Sequence, residues 1–115
     1  MEIKEISSLI VESWPYPILF ADSNHIIKFL NRQARNYYYT ERGFRELIGK
    51  SLLDLHNGPS REGIIAAVEK LKDHGSELFL RVNVRNQRMY LSPVRDENGE
   101  LLGYYTRYEL NFRKE

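Results

Sequence analysis

Three histidines, His25, His56 and His74, and no cysteine bound the side-chain chemistry open to this chain. A nucleophilic triad needs nucleophile, base and orienting group in one place. Each histidine is expected at a turn or a helix end, and no serine sits in a nucleophile-elbow pattern. The run Ile48-Gly49-Lys50-Ser51 lacks the upstream glycine that a phosphate-cradling loop requires at fixed spacing. Without cysteine there is no thiolate nucleophile, disulfide or cysteine-held metal, and three separated histidines without a local ligand pair do not close a zinc site. The chain is therefore expected to bind rather than to catalyse.

Binding chemistry rests on two sets of residues. Tyr37, Tyr38, Tyr104 and Tyr108 each offer an apolar body with a hydrogen-bonding tip, suited either to filling a core or to facing a planar or carboxylated ligand. His56 lies in the chain break Leu55-His56-Asn57-Gly58-Pro59, where its imidazole either bonds its own loop around Asn57 and Gly58 or meets a ligand. A neutral imidazole is also a common axial ligand of haem iron. Arg32, Arg35, Arg42 and Arg45 are interspersed with acids in a chain of formal net charge +1, so they read as a solvated face rather than a nucleic-acid surface.

The elements that must position these residues follow from periodicity and turn chemistry. In the C-terminal third, Arg85-Asn86-Gln87-Arg88 and Asp96-Glu97-Asn98-Gly99-Glu100 divide Leu78 to Leu110 into a three-stranded meander. A two-residue loop at Asn86-Gln87 sets Val84 opposite Met89, Val82 opposite Leu91 and Leu80 opposite Pro93. A loop of two or four residues centred on Asn98-Gly99 sets Pro93 opposite Tyr104, Leu91 opposite Thr106 and Met89 opposite Tyr108. The predicted core face is then Leu78, Leu80, Val82, Val84, Met89, Leu91, Leu102, Tyr104, Thr106, Tyr108 and Leu110. Phe79, Tyr90 and Tyr105 fall on the outer face, which is either solvated or covered by a second chain.

Upstream, Ile3, Ile6, Leu9 and Ile10 form one stripe of a helix over residues 2 to 13, closed by Pro15 and Pro17. A helix this short needs a partner for its stripe, the outer sheet face or another copy of the chain. Ile18 to Ala21 and Ile26 to Leu30 flank the turn Asp22-Ser23-Asn24-His25 as a first hairpin, and Asn31 is placed to cap a helix from Arg32 to Tyr38. Phe44 to Ile48 is expected to form a short helical turn stopped by Gly49. The stripe Ile64, Ala67, Val68 and Leu71 marks a longer helix from Ser60 or Arg61 to His74.

Length and composition agree with a single globular domain: 115 residues, 42% hydrophobic, 29% charged. No signal-peptide layout or membrane-length apolar run is present, and absence of cysteine suits a reducing compartment, so a cytoplasmic location without membrane attachment is expected.

Five antiparallel strands split two and three around a helical middle resemble a PAS domain. The residues that carry the likeness are Asp22-Ser23-Asn24-His25-Ile26-Ile27, Asn31-Arg32-Gln33-Ala34, Leu47-Ile48-Gly49-Lys50-Ser51 and the hairpin from Pro93 to Tyr104. The likeness spans about Pro17 to Leu110, and is strongest to PAS domains with a Cys-His-Pro-Pro-like loop, some of them joined to hemerythrin-like regions; here Leu55 stands in place of that cysteine. It implies an α+β, profilin-like fold: a five-stranded antiparallel sheet with helices on one face and an N-terminal amphipathic helix, divided as residues 1–14 and 15–112.

The likeness also implies a sensory or regulatory module in signal transduction, with a ligand between sheet and helices and an unknown downstream partner. The pocket would be lined by Phe29, Tyr37, Tyr38, Ile48, Leu52, His56, Ile64, Val68, Val82, Leu91, Tyr104 and Thr106. A homodimer would form through Ile3, Ile6, Leu9, Ile10, Phe79, Tyr90 and Tyr105. The alternatives are a ligand-free homodimer or scaffold module and a haem sensor using His56. Flavin photochemistry of the LOV subclass needs a cysteine, which the chain lacks.

Overall fold

The computed structural model describes residues 1–73 and 75–112; His74, the expected end of the long helix, and residues 113–115 lie outside them. The elements in order are α1 (Ile3–Glu12), β1 (Leu19–Asp22), β2 (Ile27–Leu30), α2 (Arg32–Arg35), a π-helical turn (Asn36–Glu41), a 3-10 turn (Leu52–Leu55), α3 (Gly58–Asp73), β3 (Leu78–Val82), β4 (Gln87–Arg95) and β5 (Leu101–Leu110). The strands form one antiparallel sheet in the order β2-β1-β5-β4-β3. Helices cover one face of it. Ala34 of α2, Leu52, and Val68 and Leu71 of α3 join Leu19, Ala21, Ile27, Leu30, Leu91 and Tyr104 in one core. Among the described residues no helix is long and apolar enough to cross a membrane.

The first hairpin turns as its residues dictate. Asp22 Oδ1 accepts from the amides of Asn24 and Ile26, and His25 takes the left-handed conformation at φ 69°. Asn31 then does more than cap. Its Oδ1 accepts from Ala34 N at 2.9 Å and from Ile18 N at 2.9 Å, while Nδ2 donates to the carbonyls of Val11 and Tyr16 at 3.0 and 3.1 Å. This fully buried amide ties the end of α1, the entry to β1 and the start of α2 to one point. Arg35 adds an ion pair to Glu12 at 3.1 Å.

The second half of the meander has the expected register, with Met89 opposite Tyr108, Leu91 opposite Thr106 and Pro93 opposite Tyr104. The β3–β4 register differs. Asn83 Oδ1 accepts from Arg85 N and Gln87 N, and Asn86 stands at φ 57°, so the turn runs from Asn83 to Gln87 rather than through a two-residue loop. Leu78 therefore faces Leu91, Arg81 faces Met89 and Val82 faces Arg88, with an irregularity between Phe79 and Arg81. Val84, expected in the core, is fully exposed. A second irregularity at Val94/Arg95 pairs Arg95 with Leu101 and turns Leu101, not Leu102, toward the core.

The expected helical turn at Phe44 to Ile48 is absent; this stretch is irregular. Helix α2 instead continues as the π-helical turn, and the amides of the 44–48 stretch bond to that turn and to Glu46 rather than in a helical pattern. Phe44 N donates to the Tyr38 carbonyl, Leu47 N donates to the Tyr39 hydroxyl, and Ile48 N donates to Glu46. Leu47 is consequently buried while Ile48 is exposed.

Candidate ligand cavity

A cavity of about 490 Å³ lies between the sheet and the helices. Its size falls within the range of small-molecule sites, roughly 300–1,000 Å³. The sheet supplies Leu19 of β1, Met89 and Leu91 of β4, and Tyr104, Thr106 and Tyr108 of β5. The helical side supplies Tyr37 and Tyr38 from the π-helical turn, Leu52, His56, and Ile64 and Ala67 of α3, and the rim carries Arg42 and Arg81. Tyr37 and Tyr38 meet edge to face at 4.9 Å, and Tyr16 stacks on Tyr108 at 6.2 Å beside the rim.

Of the residues expected to line a pocket, Tyr37, Tyr38, Leu52, His56, Ile64, Leu91, Tyr104 and Thr106 are brought together here. Four are not. Phe29 pairs with Phe20 on the opposite face of β2–β1, because the irregularity that leaves Lys28 unpaired puts it out of step with the buried Ile27, while Leu30 takes the core position. Ile48 points outward for the reason given above. Val68 is buried in the core beside the cavity rather than on its wall. Val82 is carried to the other face by the Asn83 turn, and Arg81 takes the cavity side in its place.

The polar groups of the wall are in defined states. Burial pushes the phenols of Tyr38, Tyr104 and Tyr108 above their ordinary value, so all three carry their protons at neutral pH and can donate. Tyr104 is held by a 2.8 Å hydrogen bond to His25 Nδ1. Burial first, then the guanidiniums of Arg42 and Arg81, lower the His56 pKa and keep its imidazole neutral. Among the described residues the His56 ring has no hydrogen-bond partner, so it does not bond its own loop as the first of its two sequence readings has it. The residue lines the cavity. A haem iron would find one imidazole here, and no group of three or more histidine and acidic side chains gathers to hold a metal among the described residues.

The outer face is not a bare apolar surface. Arg88 lies over the Phe79 ring at 4.3 Å, and Arg107 over the Tyr90 ring at 4.4 Å. Arg107 pairs with Glu77 at 2.6 Å and Glu109 at 2.9 Å, and Ser92 donates to Glu77. The Arg107 hydrogen bond holds the Glu77 carboxyl below its usual range. Phe79 and Tyr90 are thus already covered in part by cations of their own chain. The stripe of α1 differs: none of its residues is buried, and Ile3, Ile6, Leu9 and Ile10 all remain exposed.

A five-stranded antiparallel sheet in the order β2-β1-β5-β4-β3, with short helices over one face and a cavity between, defines the profilin-like class of α+β folds. Comparison of sequences narrows the class: a family model described as PAS fold matches residues 11–109, and the chain belongs to that family. No curated protein matches it. Among solved structures it is similar to the PAS domain of BvgS from Bordetella pertussis, at 16% identity and TM-score 0.65, over 96% of this chain and 87% of that one. It is also similar to a PAS domain from Colwellia psychrerythraea, at 15% identity and TM-score 0.68, over 94% and 96%. A third is a sensory box sensor histidine kinase from Vibrio cholerae, at 14% identity and TM-score 0.62, over 92% and 89%. At these identities the likeness concerns the fold.

Proposed function

We propose that this PAS domain is the sensory module of a signal-transduction protein, and that it binds a small molecule in the cavity between sheet and helices. One observation carries the reading. The half-buried His56 imidazole, with no protein partner among the described residues, shares a cavity of about 490 Å³ with protonated tyrosine hydroxyls and an aliphatic floor. Such a wall suits a ligand with an apolar body and a few polar atoms. The sensor histidine kinase among the similar folds supports the signalling role by analogy. The role is binding, not catalysis. A ligand changes the output only by favouring one of two arrangements, and α1, joined to the core through Asn31, is the element placed to differ between them.

Native mass spectrometry of freshly purified protein tests this. A small added mass that is lost on denaturation is the expected result, and a Soret band in the same sample identifies it as haem. A stoichiometric dimer with no added mass supports the ligand-free interaction module instead.

The exposed stripe of α1 favours a second, compatible role in self-association. Deleting the helix would also remove the Val11 carbonyl and Glu12, which Asn31 and Arg35 use. Lysine at both Ile3 and Ile10 leaves those anchors in place. The double substitution is expected to weaken the dimer at least about tenfold in sedimentation, with an unchanged circular dichroism spectrum. A wild-type chain that is monomeric at high concentration removes this role.

A further inference from the structure

The charge on the cavity points to the class of ligand. No aspartate or glutamate is among the lining residues, while the exposed Arg42 and Arg81 both line the cavity, one just after the π-helical turn and one on β3. Arg42 is held over the rings of Phe44 at 4.9 Å and Tyr37 at 5.8 Å, which orders its guanidinium without neutralising it. Among the described residues neither arginine has a carboxylate within ion-pair distance. The nearby Glu41 is engaged by Arg85 at 3.6 Å. Both guanidiniums act on the His56 imidazole, so their fields overlap inside the cavity mouth.

Two uncompensated cations beside a low-dielectric wall raise the local affinity for an anion, and a planar guanidinium matches a carboxylate in geometry as well as charge. Beneath them the wall is aliphatic, formed by Leu19, Leu52, Ile64 and Leu91, which leaves no second charged group for the far end of a ligand. Resting on the reading of this cavity as a ligand site, we infer that the domain selects small organic monocarboxylates, with the carboxylate between Arg42 and Arg81 and an aromatic or alkyl body packed toward Leu52 and Leu91.

Matched probes test this: 3-phenylpropionate against 3-phenylpropionamide, and octanoate against octanamide. Each is titrated at low ionic strength into the full chain and followed by amide NMR shifts. The expected result is that each acid binds roughly tenfold or more tighter than its amide, with shifts at Leu52, Ile64 and Leu91. In the double variant Arg42→Gln/Arg81→Gln the preference falls to near unity while amide binding is unchanged. Both substitutions are at exposed positions, so the fold is retained and circular dichroism verifies it. Equal binding of acid and amide to the wild type overturns the inference but leaves the cavity a ligand site. A preference that survives in the double variant overturns the assignment to these arginines. If neither acid nor amide binds at millimolar concentration, the inference falls, and the ligand-binding reading stands or falls on the retained mass in native mass spectrometry.

Discussion

Asn31→Ala is expected to lower the melting midpoint by on the order of 15 °C or more. The substitution removes a helix cap, which costs about 1 kcal/mol alone. It also leaves Ile18 N and the carbonyls of Val11 and Tyr16 without the partner they have in the native chain. Partly buried groups stranded in this way cost about 1–3 kcal/mol each, so even with all three at the low end of that range the total with the cap is about 4 kcal/mol. That is a large part of the stability of a domain this size, and each kcal/mol corresponds to about 4–8 °C. Asn31→Asp separates the two jobs of the side chain. Its carboxylate still caps α2 but offers no donor to Val11 and Tyr16, so hydrogen exchange in α1 should rise to a greater extent than in α2. A melting midpoint within a few degrees of wild type for Asn31→Ala would show that α1 is joined to the core by something other than this amide.

The same residue shows what could be read without coordinates. Its type and its place before Arg32 predict the cap. The contacts to Val11 and Tyr16 depend on how the chain folds back, which no local pattern carries. The β4–β5 register was legible because Asp96 and Gly99 specify their turn and the alternation on either side admits one pairing. The β3 register was not, because Asn83 and Asn86 are both turn formers three residues apart. Asn83 prevails by accepting two backbone amides, and the resulting shift exchanges Val82 for Arg81 at the cavity. Taking Asn83 as the first residue of the turn would have placed Arg81 on the inner face. Arg42 reads as a solvated cation in sequence because its position relative to the cavity is set by the π-helical turn, a geometry without a periodic signature.

Gly103 tests how the two halves of the sheet are joined. In the order β2-β1-β5-β4-β3, the first hairpin reaches the meander through β1 and β5 alone, and that ladder consists of Ala21 opposite Tyr104 and Asp22 opposite Gly103. A Cβ at position 103 would collide with the Ala21 carbonyl oxygen and stand 2.5 Å from the Phe20 ring. The ring can turn aside, but the carbonyl belongs to β1 and cannot retreat without moving the strand. Overpacking against side chains costs about 1–3 kcal/mol, and against fixed backbone more. Gly103→Ala is therefore expected to destabilise by at least about 3 kcal/mol, and Gly103→Val to prevent stable folding. A double substitution locates the obstacle. If the carbonyl is decisive, adding Phe20→Ala to Gly103→Ala recovers little stability, whereas substantial recovery assigns the clash to the ring. Because β1 brings Leu19 and β5 brings Tyr104 to one cavity wall, loss at this joint also opens the proposed binding site. Denaturation midpoints for the Gly103→Ala chain that match wild type would mean that β1 and β5 tolerate a wider spacing than this ladder implies.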